Sequence, residues 1–273
     1  MMKKKGKRNQ LVVVMALILV LTLPINVFAS SNSTKDESIP TKVDSELQTV
    51  QAIFYPKKAV VTLSEYDIIN TLSQMTDIEL KELGLTDEDI AKIKNVTRAQ
   101  ESYGNVTYTI SYSEMYRSGG NTYLTTKMTW DWSREPNFVC TDIVAMTTSE
   151  NFTKDSSYVK VNYYANGNKN GTKTSEYGTV QTENAGKGVF YRITMGKEWD
   201  TINKRYKKVA LSGEMETEWS VSGNLSQVGI ASNYGHSTVT LAPSVSFGSG
   251  CSISFTPQYV CESGDEAYAK AYV

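Results

Sequence analysis

Residues 208–222 have the sequence KVALSGEMETEWSVS, and this stretch decides the fold class. Its apolar residues recur at alternate positions, with polar and charged residues between them, which is the pattern of a β-strand with one buried and one wet face. One face carries Val209, Leu211, Met215, Trp219 and Val221, and the other carries Lys208, Ser212, Glu214, Glu216 and Glu218. Such a strand must cover its apolar face with a second layer.

The same period of two continues on both sides of this stretch. The alternating segments are separated by turns rich in Gly, Asn and Ser, such as NGNKNG at 166–171. No helical pattern lies between them, so the strands must be mainly antiparallel. We predict a mainly β fold, an antiparallel β-sandwich over residues 99–273, with a β-barrel as the alternative. The other strand candidates are 106–112, 123–132, 138–147, 158–164, 189–195, 228–232, 238–247, 251–259 and 267–273.

A small helical segment precedes the strands. We predict three short helices within residues 59–98, beginning at Ser64, Thr76 and Thr86, because each of these residues has an acidic residue three positions later, where a capping box places one. Gly84 is suited to end the second helix in the left-handed conformation. A unit of this size is too small to be stable alone, so we expect it to pack on the β domain.

The first 29 residues are typical of a secretory signal peptide. A basic head, an apolar run at 11–23 and a small residue at Ala29 predict cleavage near Ala29. The apolar run is shorter than the roughly 20 residues of a membrane-spanning helix. The lysine-rich head is similar to the leaders of Gram-positive bacteria, so we expect a secreted, extracellular protein. The polar residues 30–58 are predicted to be a flexible arm.

Charge and composition exclude several classes of protein. The leader carries five Lys and Arg residues and no acid, so its removal shifts the formal net charge from −1 to −6. That balance excludes a basic nucleic-acid binder, and we expect no nucleic-acid partner. An exported chain is not an ordinary cytosolic enzyme, and a hydrophobic content of 40% excludes a disordered acidic tail.

Three cysteines, Cys140, Cys251 and Cys261, follow the predicted cleavage site. In an oxidising compartment an odd number predicts one disulfide and one free thiol, or a bridge between molecules. Cys251 and Cys261 can pair only if the chain bends at Pro257. We favour a bridge from Cys140 to one of the other two, and the alternative is that all three are buried, apolar thiols.

Candidate catalytic residues are few. His236 is the only histidine and no nucleophile motif accompanies it, so we expect a turn or strand-end residue with ordinary hydrogen bonds. The glutamates at 214, 216 and 218 share one strand face and offer ligands to a cation or carboxylates for acid–base chemistry. That face is the solvent face of its strand, where the basic cluster at 204–208 is available for pairing. We predict no metal and no cofactor, and we favour a non-enzymatic protein.

The aromatic residues are more informative about binding. The chain has 17 Tyr and 4 Trp against 7 Phe, and Tyr and Trp are common on binding surfaces. Trp130 and Trp132 share the parity of an apolar strand face, so we expect them in the core. Trp199 stands in GKEWD beside charged neighbours and between two predicted strands. We predict that Trp199 and Asp200 bind a ligand, with Trp199 as an exposed platform for a sugar or a protein.

Residues 236–260 contain no Asp, Glu, Lys or Arg. Within them, residues 238–258 form a predicted hairpin with apolar side chains on one face and Ser and Thr on the other. It resembles, in style only, the insertion hairpins of secreted pore-forming toxins, and that resemblance implies entry into a membrane as part of an oligomeric barrel. We favour a hairpin in the core of the sandwich, because Pro243 and Pro257 fit poorly in continuous strands.

The sequence therefore does not identify one activity. The main hypothesis is a secreted, non-enzymatic β-sandwich protein that binds a glycan, a cell surface or a protein partner. The alternative is a secreted, membrane-active protein that inserts the hairpin at 238–258, and contact with a membrane is expected only in that case. A hydrolase that uses the carboxylates at 214–218 is the third hypothesis.

Overall fold

The computed structural model describes residues 58–95, 103–182, 188–238, 244–248, 252–256, 261–263 and 267–273. The predicted signal peptide, the predicted arm up to residue 57, Cys251 and parts of the uncharged hairpin lie outside the described residues. Strands make up 62% of the structure and all their pairings are antiparallel, which confirms the predicted mainly β class.

Three helices form where the sequence predicted them: α1 (Glu65–Ser73), α2 (Asp77–Glu82) and α3 (Asp87–Lys94). Thr76 and Thr86 make the complete capping boxes expected of them, and Gly84 has a left-handed backbone with φ +88°. Ser64 is the N-cap of α1 by position, but its side chain makes no capping hydrogen bond, so that detail of the prediction is wrong.

The first sheet has seven strands. Its order is β1 (Lys58–Ser64), β2 (Asn105–Ser118), β3 (Asn121–Trp132), β10 (Arg205–Ser222), β5 (Thr153–Ala165) and β6 (Lys173–Gly178). A further strand, β9 (Gly196–Asp200), pairs with the first residues of β10. β1 was not predicted from the sequence; it pairs with β2 along its whole length and leads directly into α1.

The second sheet has six strands, and a separate hairpin lies beside it. The order is β14 (Cys261–Ser263), β11 (Gln227–Ser237), β4 (Thr141–Thr148), β8 (Gly188–Thr194) and β7 (Gln181–Thr182), with β15 (Ala267–Tyr272) also paired to β11. The hairpin consists of β12 (Ser244–Phe247) and β13 (Ile253–Thr256). Within the described residues neither large sheet closes on itself, so the fold is a sandwich-like β structure and the alternative β-barrel is not formed.

Strand β10 has the two faces that its sequence predicted. Val209, Leu211, Met215 and Trp219 are buried, whereas the glutamates between them face outward. The register shifts between Ala210 and Ser212, which is a β-bulge next to the point where β10 leaves β9 and joins β5. One long strand therefore pairs with β9 through its first residues and with β3 and β5 in the middle of the first sheet through the rest.

The two sheets meet through a cluster of aromatic side chains. The ring of Tyr234, in the second sheet, has its centroid within 6.4 Å of the ring centroids of three residues of the first sheet, Tyr108, Trp130 and Trp132. Trp132 Nε1 donates a hydrogen bond of 2.9 Å to Tyr234 Oη. Both tryptophans are buried, as predicted. Apolar side chains of the helices belong to the same core, so the helices pack on the β domain as expected.

Strand β4 is covered on both faces, which fits the run of consecutive apolar residues at 143–146. One face points into the core between the sheets, and Ile143 and Ala145 point to the other side. There they meet the apolar side of the β12–β13 hairpin, which buries Val245, Ile253 and Phe255. The hairpin is therefore a third layer on the outside of the second sheet.

Gly213 provides a test of how the Trp130 ring packs on the buried face of the first sheet. A Cβ at this position would overlap the Trp130 ring and lie 2.5 Å from the carbonyl oxygen of Lys160. We expect Gly213→Ala to lower the free energy of unfolding by about 1–3 kcal/mol through overpacking, measured by urea denaturation. Glu216→Gln, on the outward face of the same strand, is the control and should change it by less than about 0.5 kcal/mol. Equal stability of both variants would contradict this packing.

Candidate binding cleft

A buried group of three charged residues lies beneath the candidate site. Glu65 comes from the first turn of α1, Asp142 from β4 and His236 from the end of β11, and none of the three has any exposure to solvent. His236 Nδ1 is 2.8 Å from Asp142 Oδ1, and its Nε2 is 3.8 Å from Glu65 Oε1. The Trp132 ring packs edge-on against the imidazole at a centroid distance of 4.9 Å. We call this group the ionic cluster.

Asp142 is fully engaged within the protein. Its Oδ1 also accepts a hydrogen bond of 3.2 Å from the backbone N–H of Ser237, and its Oδ2 accepts one of 2.6 Å from Tyr234 Oη. Because Tyr234 in turn accepts from Trp132, the chain of hydrogen bonds runs from the first sheet to the ionic cluster. Buried carboxylates require such partners.

Glu65 holds the segment that follows β3. Its Oε1 accepts from the backbone N–H groups of Asn137 and Phe138 at 2.5 and 3.1 Å. Its Oε2 accepts from the Asn137 side-chain amide at 3.1 Å and from the backbone of Gly104 at 3.2 Å. One buried carboxylate therefore fixes the path of the chain through Asn137 and Phe138.

The electrostatics of the ionic cluster favour a charged histidine. Burial by itself lowers the pKa of His236, but the negative charges of Asp142 and Glu65 and the hydrogen bond to Asp142 outweigh it and raise the pKa to about 10. The structure thus corrects our expectation for His236: it lies near the end of a strand, but it is an ion-paired core residue.

This geometry does not provide a catalytic site. The histidine, both carboxylates and Ser237 have no exposed surface, so no substrate reaches the imidazole. The ionic cluster is structural, and its influence on the surface passes through Asn137 and Phe138.

The surface above these two residues is a cleft of about 390 Å³. Helix α3 forms one wall, the chain at 135–140 forms the floor, and the β9–β10 hairpin forms the other wall. The residues that line it are Glu88, Asp89, Lys92, Glu135, Pro136, Asn137, Phe138, Val139, Cys140, Trp199, Lys204, Arg205 and Tyr206. We call it the Trp199 cleft.

Trp199 lies in β9 rather than between strands, and its side chain is 52% exposed. It is paired in register with Tyr206 of β10, and the two rings meet at a centroid distance of 4.9 Å and an angle of 71°. The Tyr206 ring also lies against Gly196, where a Cβ would overlap it. These contacts place the exposed indole against Tyr206 at the edge of the cleft, and its role as a platform for a ligand remains a prediction.

Asp200 organises the turn that joins β9 to β10. Its Oδ1 accepts hydrogen bonds from the backbone of Ile202 and Asn203 at 2.9 and 3.1 Å, and its Oδ2 accepts one of 2.9 Å from the Asn203 amide. The bonds from Asn203 are the main reason that the pKa of Asp200 lies below its ordinary value. Its predicted contact with a ligand remains a prediction.

Charges of both signs surround the platform. Burial raises the pKa of Glu135, and the positive charge of Arg205 opposes that shift. On the helix wall, Lys92 forms ion pairs with Glu88 and Asp89. The Trp199 cleft therefore combines aromatic surface with carboxylate, amide and guanidinium groups.

A second, more apolar cleft of about 380 Å³ adjoins the first across Asn137 and Phe138. Its lining adds Ile69 of α1, Ala91 of α3 and Tyr103. The two clefts share the α3 wall, and Glu65 supports the floor between them. Loss of that carboxylate would disturb both at once.

The glutamates of β10 lie on the solvent side, as the sequence predicted. Glu214 pairs with Lys127 of β3 at 2.7 Å and with Lys160 of β5 at 3.9 Å. The expected pairing with the basic cluster at 204–208 is wrong, because Lys208 pairs instead with Glu198 of β9. The lysines that pair with Glu214 thus come from the two strands on either side of β10.

Cys140 is a free, half-buried thiol on the floor of the Trp199 cleft. Burial raises its pKa to about 12, which makes the thiolate rare at neutral pH. The favoured bridge from Cys140 is therefore not formed in this structure. Cys251 and the side chain of Cys261 lie outside the described residues, so a bridge between those two remains a prediction.

The described residues contain neither a candidate metal site nor a membrane-spanning helix. Nowhere among them do three or more His, Cys, Asp or Glu side chains form a group that could hold a metal ion. Their helices are too short or too polar to cross a membrane.

Comparison with known proteins gives no family. No family model and no curated protein matches the chain. Among solved structures it is similar to Clostridium perfringens delta-toxin (8% identity, 62% of this chain, 84% of that chain, TM-score 0.25). It is also similar to a pore-forming protein (10%, 61%, 78%, TM-score 0.21) and to the collagen-binding domain of Erysipelothrix rhusiopathiae surface protein RspB (14%, 62%, 65%, TM-score 0.23). Similarities this weak carry no argument about function.

A titration of His236 tests the ionic cluster, since it is the only imidazole in the chain. We expect its NMR signals to remain those of a charged ring from pH 6 to 9, because its pKa is raised to about 10. The charged ring stabilises the fold fully below about pH 6.5, and this contribution is lost as the pH rises through about 10. Asp142→Asn should lower that pKa. Titration of the wild-type ring near pH 6.5 would contradict the cluster.

Proposed function

We propose that this protein is exported and that it binds a glycan of a cell surface in the Trp199 cleft. The observation that carries the proposal is the half-exposed indole of Trp199, held by Tyr206 on a two-stranded wall above a fixed floor. An aromatic ring fixed in an open cleft provides contact area without the entropic cost of ordering a flexible side chain.

The size and polarity of the cleft support a sugar as the ligand. A volume of about 390 Å³ is at the small end of ligand sites, which suits one or two sugar rings better than a folded partner. Asn137, Glu135 and Arg205 offer donors and acceptors for hydroxyl groups around the ring. A protein partner is the competing outcome, because Trp, Tyr and Arg are also the residues enriched at interface hot spots.

Removal of the indole tests this proposal. We expect Trp199→Ala to weaken binding to purified peptidoglycan or to soluble chito-oligosaccharides by about 30-fold, the loss of a contact of about 2 kcal/mol. The melting temperature should not fall, since the side chain is half exposed. Binding is measured by isothermal titration calorimetry or by sedimentation with the insoluble polymer.

Tyr177→Ala is the matched control, because Tyr177 is an exposed aromatic residue on β6 that does not line the cleft. It should leave binding unchanged. An equal loss of affinity in both variants, or a parallel loss of melting temperature in Trp199→Ala, would contradict the proposal. Release of reducing ends from the polymer, abolished by Glu135→Gln, would show an enzyme instead of a binding protein.

The β12–β13 hairpin supports a second candidate, insertion into a membrane. Among the described residues its strands pair only with each other, and it packs on the second sheet through the apolar side chains of Val245, Ile253 and Phe255. Its other face carries Ser246 and Ser254, whose hydroxyl groups lie 2.8 Å apart. A hairpin with one apolar and one hydroxyl face is chemically suited to exchange a protein surface for lipid.

Dye release from liposomes tests this candidate. If the hairpin inserts, the secreted protein should release an entrapped dye, and Phe255→Ser should reduce the rate at least roughly tenfold because an apolar side chain that faces lipid is lost. Ser254→Ala, on the opposite face of the same strand, is the control and should retain the release. An absence of dye release across neutral and anionic lipid compositions would eliminate the candidate.

A further inference from the structure

The tip of the β9–β10 hairpin carries an exposed apolar side chain that the Trp199 cleft does not use. Ile202 is 89% exposed, the highest value among the large hydrophobic residues that the structure describes. It does not line the cleft. A single exposed isoleucine is unremarkable by itself, so its surroundings decide its meaning.

The turn that presents Ile202 is well organised. Asp200 accepts hydrogen bonds from the backbone of Ile202 and Asn203 and from the Asn203 amide. The isoleucine is therefore held outward by a network of three hydrogen bonds. Burial against the protein is not available to it in this conformation.

Three cations follow the isoleucine: Lys204, Arg205 and Lys207. In the described part of the chain none of these three side chains has a carboxylate oxygen within 4.0 Å. Arg205 nevertheless lies close enough to Glu135 to oppose the rise that burial causes in the pKa of Glu135. The other two lysines of this hairpin differ, because Lys197 pairs with Glu176 and Lys208 pairs with Glu198. The unpaired cations are thus concentrated next to the exposed isoleucine, and the paired ones lie further along the strands.

Lys204 occupies an unfavourable backbone conformation for its type. Its φ is +50°, in the left-handed region that glycine and asparagine adopt at lower cost. The chain nevertheless has a lysine there, which adds a charge at the tip. We define Ile202, Lys204, Arg205 and Lys207, with Trp199 behind them, as the hairpin tip.

We propose that the hairpin tip docks on the surface of an anionic phospholipid membrane. Lys and Arg side chains next to such a surface are attracted to the phosphate and carboxylate headgroups. An apolar tip residue enters the boundary of the acyl chains, and tryptophan is favoured at the level of the headgroups. A hairpin with this order of residues contacts the membrane end-on.

The charge of the whole chain opposes the attraction of the tip. The chain without its predicted leader has a formal charge of −6, so an anionic surface repels the molecule as a whole. Glu198 and Asp200 lie close enough to Lys207 to feel its charge, and they reduce the local positive charge. The contact is therefore weak, reversible and sensitive to salt.

Sedimentation with lipid vesicles tests the proposal on the protein recovered after secretion. Vesicles of phosphatidylglycerol and phosphatidylcholine should bind it, pure phosphatidylcholine should not, and 0.5 M NaCl should release it. The Lys204→Asn, Lys207→Gln double variant should bind about 30-fold more weakly, since each basic residue contributes about fivefold. Asparagine at 204 tolerates the left-handed backbone, so the fold is preserved.

Ile202→Asp should also reduce vesicle binding at least roughly tenfold. Ile78→Asp is its matched control, because Ile78 is 72% exposed on α2, and it should bind vesicles as the wild type does. If Ile78→Asp loses as much binding as Ile202→Asp, the effect is one of added negative charge, and the proposal is wrong.

The same variants separate this proposal from the two functions proposed above. Ile202 does not line the Trp199 cleft, so Ile202→Asp should leave sugar binding unchanged, and dye release depends on the β12–β13 hairpin. Vesicle binding that survives Phe255→Ser supports docking by the tip. Equal binding to neutral vesicles, or binding to soluble polyphosphate with none to vesicles, would overturn it.

Discussion

The rest of the structure depends on a buried ionic cluster of Glu65, His236 and Asp142. The cluster joins helix α1 to the second sheet, and through Tyr234 and Trp132 it reaches the first sheet. Both acidic side chains are buried, and backbone, amide or hydroxyl groups donate hydrogen bonds to each of them, which offsets the cost of removing them from water. A buried charge that has lost its partner strongly destabilises a protein, so the fold depends on all three residues of the cluster.

The cluster also explains why the candidate site has a fixed floor. The chain at Asn137 and Phe138 is a loop, and loops of this kind are ordinarily mobile. Here Glu65 binds two successive backbone N–H groups and a side-chain amide, so the loop has the rigidity of the core beneath it. Both clefts are built on this loop. The packing of the core and the shape of both clefts therefore depend on the same carboxylate.

The sequence predicted an element correctly where one regular pattern of residues extended along the whole strand or marked the start of a helix. The alternation of β10 and the capping residues Thr76 and Thr86 predicted strand, faces and helix starts correctly. Short edge strands such as β9 escaped detection because five residues, GKEWD, are too few for an alternation to show. Asp142 left one signal, since it is the only acid within the strand candidate at 138–147. The partner of Asp142, His236, lies 94 residues away in the sequence, and Glu65 is one of two acids in the first turn of a helix, where acids are common. No sequence pattern therefore connected the three residues of the cluster.

The β9–β10 hairpin shows how one local interaction serves two surfaces. Asp200 fixes the turn, and that turn aligns Trp199 with Tyr206 on the cleft side while it presents Ile202 and the unpaired cations at the end. A ligand in the cleft and a membrane at the tip would then lie within a few residues of each other. A protein docked by its tip would bring the cleft close to the lipid surface, where headgroup sugars and surface polymers are concentrated. The weak electrostatic contact would thereby raise the effective concentration of the glycan at the cleft, because the second binding event becomes intramolecular.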